Sequence, residues 1–113
     1  MTDRELLELA AKAAGYGEVW YSGKSSTPYV GSKPKFNKPI EYQTFDPLTN
    51  DGDALRLAVK LGLGISIPLR NKRTDVVTFS GPLISVIEAH GDPYAATRRA
   101  IVRAAAEIGR AMK

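Results

Sequence analysis

The sequence predicts an α+β fold in which about three helices, 2–14, 52–61 and 93–111, cover a small antiparallel sheet of three or four short strands. Three segments have the helical spacing of apolar residues, and several short β-forming runs lie between turn residues. The two kinds of segment do not alternate strictly, which favours the α+β class over a parallel sheet. The chain has 113 residues, of which 43% are hydrophobic, and this suits a single domain over 1–113.

The first helix is predicted over 2–14. Thr2 and Glu5 have the spacing of a capping box, in which each side chain binds the other residue's backbone N–H. Gly15 follows as a typical C-terminal stop. Apolar residues recur at helical spacing, so one stripe is expected to face the core. The residues of this stripe are Leu6, Leu9, Ala10 and Ala13.

A second helix is predicted over 52–61. Asn50 or Asp51 is expected to cap its N-terminus, where clustered acids also interact favourably with the helix dipole. Gly62 is expected to end it. The residues predicted to face the core are Ala54, Leu55, Ala58 and either Val59 or Leu61.

The last helix, over 93–111, has the clearest pattern. Asp92 is expected to cap it, and Pro93 suits the first helical position. At about 100° per residue, the apolar side chains gather on one face. These residues are Tyr94, Ile101, Ala105, Ile108 and Met112. The opposite face carries Arg99, Arg103 and Arg110, and it is expected to be solvated, with a phosphate- or acid-binding surface as the alternative.

Short strands are predicted in β-forming runs that lie between turn residues. These runs are 18–21, 40–45, 65–67, 75–79 and 83–88. The last three are separated only by turns, which is typical of an antiparallel meander. The aromatic residues of the first two runs are expected in the core, namely Trp20, Tyr21, Tyr42 and Phe45.

The segment 22–39 is predicted to be a Lys/Pro-rich exposed loop with an extended piece around Tyr29–Val30. Its three prolines disfavour a regular helix or a central strand. The formal net charge is +4, and this segment carries four lysines and no acid, which leaves 12 basic and 12 acidic residues elsewhere. The excess positive charge is therefore concentrated in one segment, as in proteins that contact acidic partners.

The residue types present argue against several chemistries. Because the chain has no cysteine, a disulfide framework, a thiolate zinc site and a cysteine nucleophile are excluded. His90 is the one histidine and is expected in a surface turn, so no catalytic triad is predicted. Ser22–Ser25 matches only the end of a phosphate-binding loop, and the acids of 49–53 are in the wrong frame for a calcium loop. No enzyme activity, cofactor or metal site is therefore expected.

The distribution of apolar residues predicts a cytoplasmic protein with no membrane partner. No run approaches the roughly 20 apolar residues that a membrane-spanning helix needs. The segment 1–5 is charged and lacks the apolar region of a signal peptide.

Two blocks of the sequence carry a family resemblance. The first reads FDPLTN at 45–50, with Asp53 and Ala54 after it, and the second reads DPYAATRRAIV at 92–102. Together with the helical segment 5–15, these blocks resemble small phage and prophage proteins of the NinX-like type. The resemblance implies a phage or prophage protein in the cytoplasm of a bacterial host, and it implies no catalytic residue.

The first functional hypothesis is non-catalytic binding of a host protein or nucleic acid through basic surfaces. Tyr29 and Phe36 interleave with the lysines of 22–39, a pattern that favours phosphate contact combined with base stacking. The residues expected to make electrostatic contact are Lys24, Lys33, Lys35, Lys38, Arg70, Lys72 and Arg73. The alternative is sequestration of a small ligand, such as a nucleotide signal, in a pocket where cationic and aromatic side chains converge. An enzyme ranks third.

Overall fold

The computed structural model describes residues 1–21, 27–31, 42–78, 83–89 and 91–112, except for the side chain of Leu69. Within them, the helices are α1 (Asp3–Ala14), α2 (Asp51–Leu61) and α3 (Pro93–Ala111), and a 3-10 turn spans Leu69–Asn71. The strands are β1 (Val19–Tyr21), β2 (Pro28–Gly31), β3 (Tyr42–Thr44), β4 (Gly64–Ser66), β5 (Arg73–Val77) and β6 (Ser85–Ala89). The α+β class is confirmed, and the helix bounds agree with the predicted ones to within one residue.

The helix ends follow the local chemistry of the sequence. Side-chain oxygens of Thr2, Asn50 and Asp92 accept a backbone N–H from the first turns of α1, α2 and α3. Gly15 and Gly62 end α1 and α2 with φ values of 76° and 63°. These are left-handed values, which glycine adopts without the steric cost of a Cβ atom.

The strands form two antiparallel sheets, where the sequence predicts one. The first sheet has the order β1–β2–β3, and the second has the order β4–β5–β6. Each strand pairs with its neighbours in sequence, as short connections favour. α2 lies between β3 and β4 in the chain and so separates the two sets of strands in sequence.

α3 is the centre of the core, since it contacts α1, α2 and two strands of the second sheet. Its approach to α1 is close: a Cβ atom added at Gly109 would lie 2.1 Å from the carbonyl oxygen of Leu9. The buried residues of these two helices are mostly small, which allows such an approach. They include Ala10, Ala11, Ala14, Ala100, Ala104, Ala105 and Ala106.

The buried stripe of α1 is broader than predicted. Leu7, Ala11 and Ala14 are buried, whereas Leu9 and Ala13, which the periodicity places in the stripe, are half-buried. The cause is that α1 contacts α2, α3 and β1, so its neighbours cover more than one side of the helix.

The prediction for α2 is wrong at Leu55, which is exposed. Of the two alternatives, Val59 is exposed, whereas Leu61 is half-buried and packs against the core. Ala54 and Ala58 are buried as predicted, and Leu57 is buried in addition. These three side chains are in the core, and the side of α2 that carries Leu55 and Val59 is left open.

The prediction for α3 is wrong at its two ends. Tyr94 and Met112 are exposed, whereas Ile101 and Ala105 are buried as expected. Tyr94 lies in the first turn of α3, and Met112 is the residue that follows its last helical position. None of the helices that the structure describes is both long and apolar enough to cross a lipid bilayer.

The first sheet has one face on the core and one aromatic face. Val30 is buried in the core, and on the opposite face Trp20 stacks on Tyr29 with ring centroids 5.0 Å apart. Tyr42 meets both rings edge-on. Trp20 and Phe45 are buried as predicted, whereas Tyr42 is exposed because it lies on the edge strand β3.

The prediction of an exposed loop over 22–39 is wrong in its middle. Pro28–Gly31 forms β2, the central strand of the first sheet. The extended piece predicted around Tyr29–Val30 is therefore confirmed, but Val30 is buried rather than exposed. Pro28 is compatible with this strand because it stands at the first position. Residues 22–26 and 32–39 lie outside the described part of the chain.

Candidate functional site

The structure describes only part of the basic site that the sequence predicts. Lys24, Lys33, Lys35 and Lys38 lie outside the described residues. Arg70 and Lys72 lie in the connection between β4 and β5, and Arg73 is the first residue of β5. The described part of the predicted site is therefore the basic turn of Arg70, Lys72 and Arg73.

The turn between β4 and β5 presents two exposed cations, Arg70 and Lys72. Arg73 differs from them, because its Nε atom lies 3.3 Å from Oδ1 of Asp75 and its charge is balanced within β5. Among the described residues, neither Arg70 nor Lys72 forms an ion pair. Lys72 has a φ of 51°, a left-handed conformation that is uncommon outside glycine.

The arginines of α3 are engaged by acids of the same chain. Arg98 pairs with Asp51 at 2.7 Å, Arg99 with Asp3 at 3.2 Å, Arg110 with Glu107 at 3.5 Å, and Arg103 with Glu88. Three of these pairs tie α3 to α2, α1 and β6. The face that the sequence predicts to be solvated is therefore partly occupied by internal ion pairs, and its charges are balanced.

An apolar groove of about 570 Å³ lies between α2, α3 and β4, and we call it the α2–α3–β4 groove. We call the α3 side of the groove its floor and the α2 and β4 sides its walls. Its lining residues are Asp51, Ala54 and Leu55 on the α2 side, Ile65 and Ile67 on the β4 side, and Pro93, Tyr94, Thr97, Arg98 and Ile101 on the floor.

The groove exists because α3 covers only part of the second sheet. Ile65 lies opposite Val76, and Val76 lies opposite Val86, so the three side chains share one face of the sheet. Val76 and Val86 are buried, and α3 contacts their strands β5 and β6. Ile65 on the edge strand β4 is 37% exposed. The apolar face therefore extends one strand beyond the part that α3 covers.

α2 supplies the opposite wall. Its buried side chains include Ala54 and Leu57, and this orientation turns Leu55 away from the core, so that it is 60% exposed. Ile67, at the far wall, is 45% exposed. Large apolar side chains from both sides therefore line the groove and remain exposed.

Three polar residues of the groove lining, Asp51, Thr97 and Arg98, are paired within the protein. Nη1 of Arg98 lies 2.7 Å from Oδ1 of Asp51, and Nε of Arg98 donates to the carbonyl oxygen of Leu48 at 2.9 Å. The hydroxyl oxygen of Thr97 lies 2.9 Å from that of Thr74. The groove thus offers apolar surface with few polar groups that need a new partner.

Sequence reasoning missed this site because it assigned the apolar residues to the core. One signal was present in α2: Ala54 and Ala58 form one row at i and i+4, and Leu55 and Val59 form a second, adjacent row. Two adjacent apolar rows are more than a single neighbouring helix covers. The second row is the one left exposed.

The weaker sequence motifs have structural roles or fall outside the described residues. Ser22–Ser25 and His90 are among the latter. In the segment 49–53, the buried carboxylate of Asp53 accepts the backbone N–H of Asp46 at 2.9 Å and pairs with Arg56. Among the described residues, no three His, Cys, Asp or Glu side chains come together as metal ligands would.

The aromatic face of the first sheet is a second candidate surface, and it is less open than the groove. Trp20 is buried between Tyr29 and Tyr42, and its Nε1 atom donates to the carbonyl oxygen of Gly31 at 3.0 Å. Phe36, the other aromatic residue of the predicted stacking pattern, lies outside the described residues. The contacts of Trp20 are therefore accounted for by packing within the sheet.

Comparisons with known proteins found no relative of this chain. No protein-family model matches the chain. No curated protein matches it, and no solved structure does. The α2–α3–β4 groove, with the cationic turn beside it, is therefore the basis for the functional proposal.

Proposed function

We propose that this chain is a non-catalytic binding protein that docks an apolar segment of a partner protein in the α2–α3–β4 groove. The observation that carries the proposal is the set of large apolar side chains that line the groove and remain exposed, which includes Leu55, Ile65, Ile67 and Tyr94. Contiguous apolar surface of this kind is uncommon on monomeric proteins and marks interaction sites.

The openness of the groove favours a protein segment over an enclosed small molecule. Sites for small ligands bury roughly 70–90% of the ligand surface. Here the walls stand open, and Tyr94 at the floor is 70% exposed. Val59, one turn beyond Leu55 on α2, is also exposed and extends the apolar surface past the groove. A partner segment that lies along the groove would cover these residues together.

The resemblance to NinX-like phage proteins supports a bacterial host protein as the partner. Small accessory proteins of phages commonly act through host factors, and this argument is one of analogy.

The proposal is tested by site-directed photo-cross-linking in bacterial extract. A photoreactive phenylalanine analogue is placed at Leu55 in the groove or, as a matched control, at Ile87, which is exposed on the edge strand β6. We expect a discrete bacterial adduct from position 55, identified by mass spectrometry, with none from position 87. The same adduct is expected to disappear when Ile67→Glu is added. Equal labelling from both positions, or no adduct from position 55, would contradict the proposal.

Sequestration of a small ligand is the second candidate, and the groove volume favours it. About 570 Å³ is within the range of sites that hold small molecules. A nucleotide is disfavoured, because the one arginine in the lining is paired with Asp51. A thermal-shift screen with nucleotides and apolar carboxylic acids tests this candidate, since a ligand that binds only the native state raises Tm. If none of these compounds raises Tm, sequestration of nucleotides and of apolar carboxylic acids is excluded.

A further inference from the structure

We infer that the partner segment is an acidic amphipathic helix, whose apolar side lies in the α2–α3–β4 groove and whose acidic side chains contact Arg70 and Lys72. This inference rests on the proposed function, and it adds the charge and the conformation of the occupant. It is carried by the shape of the groove floor, by the short edge of β4 and by the unbalanced charge of the turn that follows Ile67.

The floor of the groove suits a helix. It is one face of α3 from Tyr94 to Ile101, which corresponds to about 10 Å or two helical turns. Peptide helices that bind in grooves insert apolar anchors at spacings of three, four and seven residues, which fit a floor of this length.

The edge of β4 is a poor template for an added strand. β4 pairs with β5 over only three residues, Gly64–Ser66. Pro68 follows two positions later and has no backbone N–H to donate. An extended peptide would therefore find a short ladder here, whereas strand addition draws its affinity from main-chain hydrogen bonds.

The charge of the occupant follows from the turn between β4 and β5. Ser66 lies opposite Asp75 in the sheet, so the chain from Ile67 to Arg73 forms the closed end of this hairpin. Ile67 lines the groove, and Arg70 lies three residues beyond it. Two cations without ion-pair partners among the described residues therefore adjoin the β4 wall.

Two charged pairs near the groove are balanced within the protein. Arg98 pairs with Asp51, and Arg73 with Asp75. Asp92, at the start of α3, accepts the backbone N–H of Tyr94 as the helix cap and forms no ion pair with the turn. Within the described part of the turn, Arg70 and Lys72 are cations that no ion pair balances, and they favour carboxylates over cations in a partner.

The inference is tested with two synthetic helical peptides of about 14 residues, or four turns. Both carry leucine at the same anchor positions, and the flanking positions are glutamate in one peptide and lysine in the other. Fluorescence anisotropy measures each Kd with the full chain in about 0.1 M and about 1 M salt, between which the screening length falls from about 10 Å to about 3 Å. We expect the glutamate peptide to bind about tenfold more tightly at low salt. That preference should shrink at high salt.

Charge-reversed variants identify the residues responsible. Arg70→Glu/Lys72→Glu is expected to abolish or invert the preference for the glutamate peptide. The matched control, Lys12→Glu/Arg110→Glu, changes two exposed cations of α1 and α3 that lie at the opposite end of α3, where Lys12 contacts the Met112 carbonyl oxygen. This control variant is expected to retain the preference for the glutamate peptide. Circular dichroism melts establish that each variant is folded.

The outcomes separate this inference from the proposed function. If both peptides bind equally and Ile67→Glu abolishes both, the acidic-partner inference is overturned and docking in the groove stands. If peptides bind but Ile67→Glu has no effect, groove docking itself is contradicted. Preference for the lysine peptide, or no binding of either peptide, overturns the inference.

Discussion

At the scale of single residues, Asp53 joins the turn before α2 to the helix itself. Its backbone N–H donates to Oδ1 of Asn50 at 2.9 Å, and its carboxylate accepts the backbone N–H of Asp46 at 2.9 Å. Arg56 pairs with the other carboxylate oxygen. Asp53 is buried, so the N–H of Asp46 has no ready replacement for this acceptor. The acid that superficially suggests a calcium loop therefore holds the turn closed.

Replacement of Asp53 should be costly. Asp53→Ala is expected to lower the free energy of unfolding by about 2 kcal/mol, because it leaves a backbone donor without a partner. Arg56→Ala is the comparison, and it should cost less than about 1 kcal/mol because that side chain is 67% exposed. Urea unfolding measures both. Equal losses would show that the ion pair, rather than the bond to Asp46, stabilises the turn.

Lys72 is the one non-glycine residue with positive φ among the described residues. Its left-handed backbone costs an L-residue with a Cβ atom about 1–2 kcal/mol. The residue also provides one of the two free cations beside the groove. A strained residue at a functional position is a recurrent observation in proteins.

Stability and binding are therefore expected to change in opposite directions at position 72. Lys72→Gly should stabilise the fold by about 0.5 kcal/mol, the relief of strain less the larger entropy of the unfolded glycine chain. Arg70→Gly, in the 3-10 turn with no positive φ, should destabilise it slightly. Both variants should weaken the binding of the glutamate peptide. Thermal melts and anisotropy together check this, and a loss of stability in Lys72→Gly would contradict the strain argument.

At the scale of elements, α1 and α3 approach each other closely in the core. The backbone of Leu9 occupies the space that a side chain at Gly109 would need. Alanines dominate the buried positions of both helices, so the contact depends on close approach rather than on large side chains. Dispersion contacts between close-packed surfaces are individually weak and collectively large.

Gly109→Ala is expected to force the two helices apart. The added Cβ would lie 2.1 Å from a backbone oxygen, and backbone cannot move aside as a side chain can. Overpacking of this kind costs about 1–3 kcal/mol, and we expect the upper part of that range. Gly91→Ala, where nothing lies within 4 Å of the added atom, is the control and should change stability by less than about 0.5 kcal/mol. A similar stability for the two variants would refute the close contact.

Local chemistry made the helices predictable, and tertiary neighbours made their faces less so. Thr2, Asn50 and Asp92 specify the helix starts through hydrogen bonds within one turn, and these signals are complete in the sequence. Periodicity shows that α2 is amphipathic but does not show which apolar row α3 covers. The spacing of Leu55 therefore predicts a core position, but α3 covers the other apolar row and Leu55 is exposed.

At the scale of the whole molecule, the candidate site arises because the apolar face of the second sheet is wider than the part that α3 covers. α3 covers β5 and β6, and the apolar face of the second sheet continues onto β4. The sequence shows strand residues at Ile65 and Ile67 but not that β4 is an edge strand beyond the helix. Of the predicted basic site, Arg70 and Lys72 keep a role in the proposal, and Arg73 is paired with Asp75.

The central claim is that the α2–α3–β4 groove is the docking surface, and chemical-shift mapping tests it most directly. The ¹⁵N-labelled protein is titrated with the leucine–glutamate peptide, and the amide resonances are followed by NMR. The account predicts the largest shifts on the three elements of the groove, around Leu55, Ile65 and Thr97, with little change in the first sheet. Shifts concentrated around Trp20 and Tyr42 in the first sheet, or no shifts at saturating peptide, would contradict it.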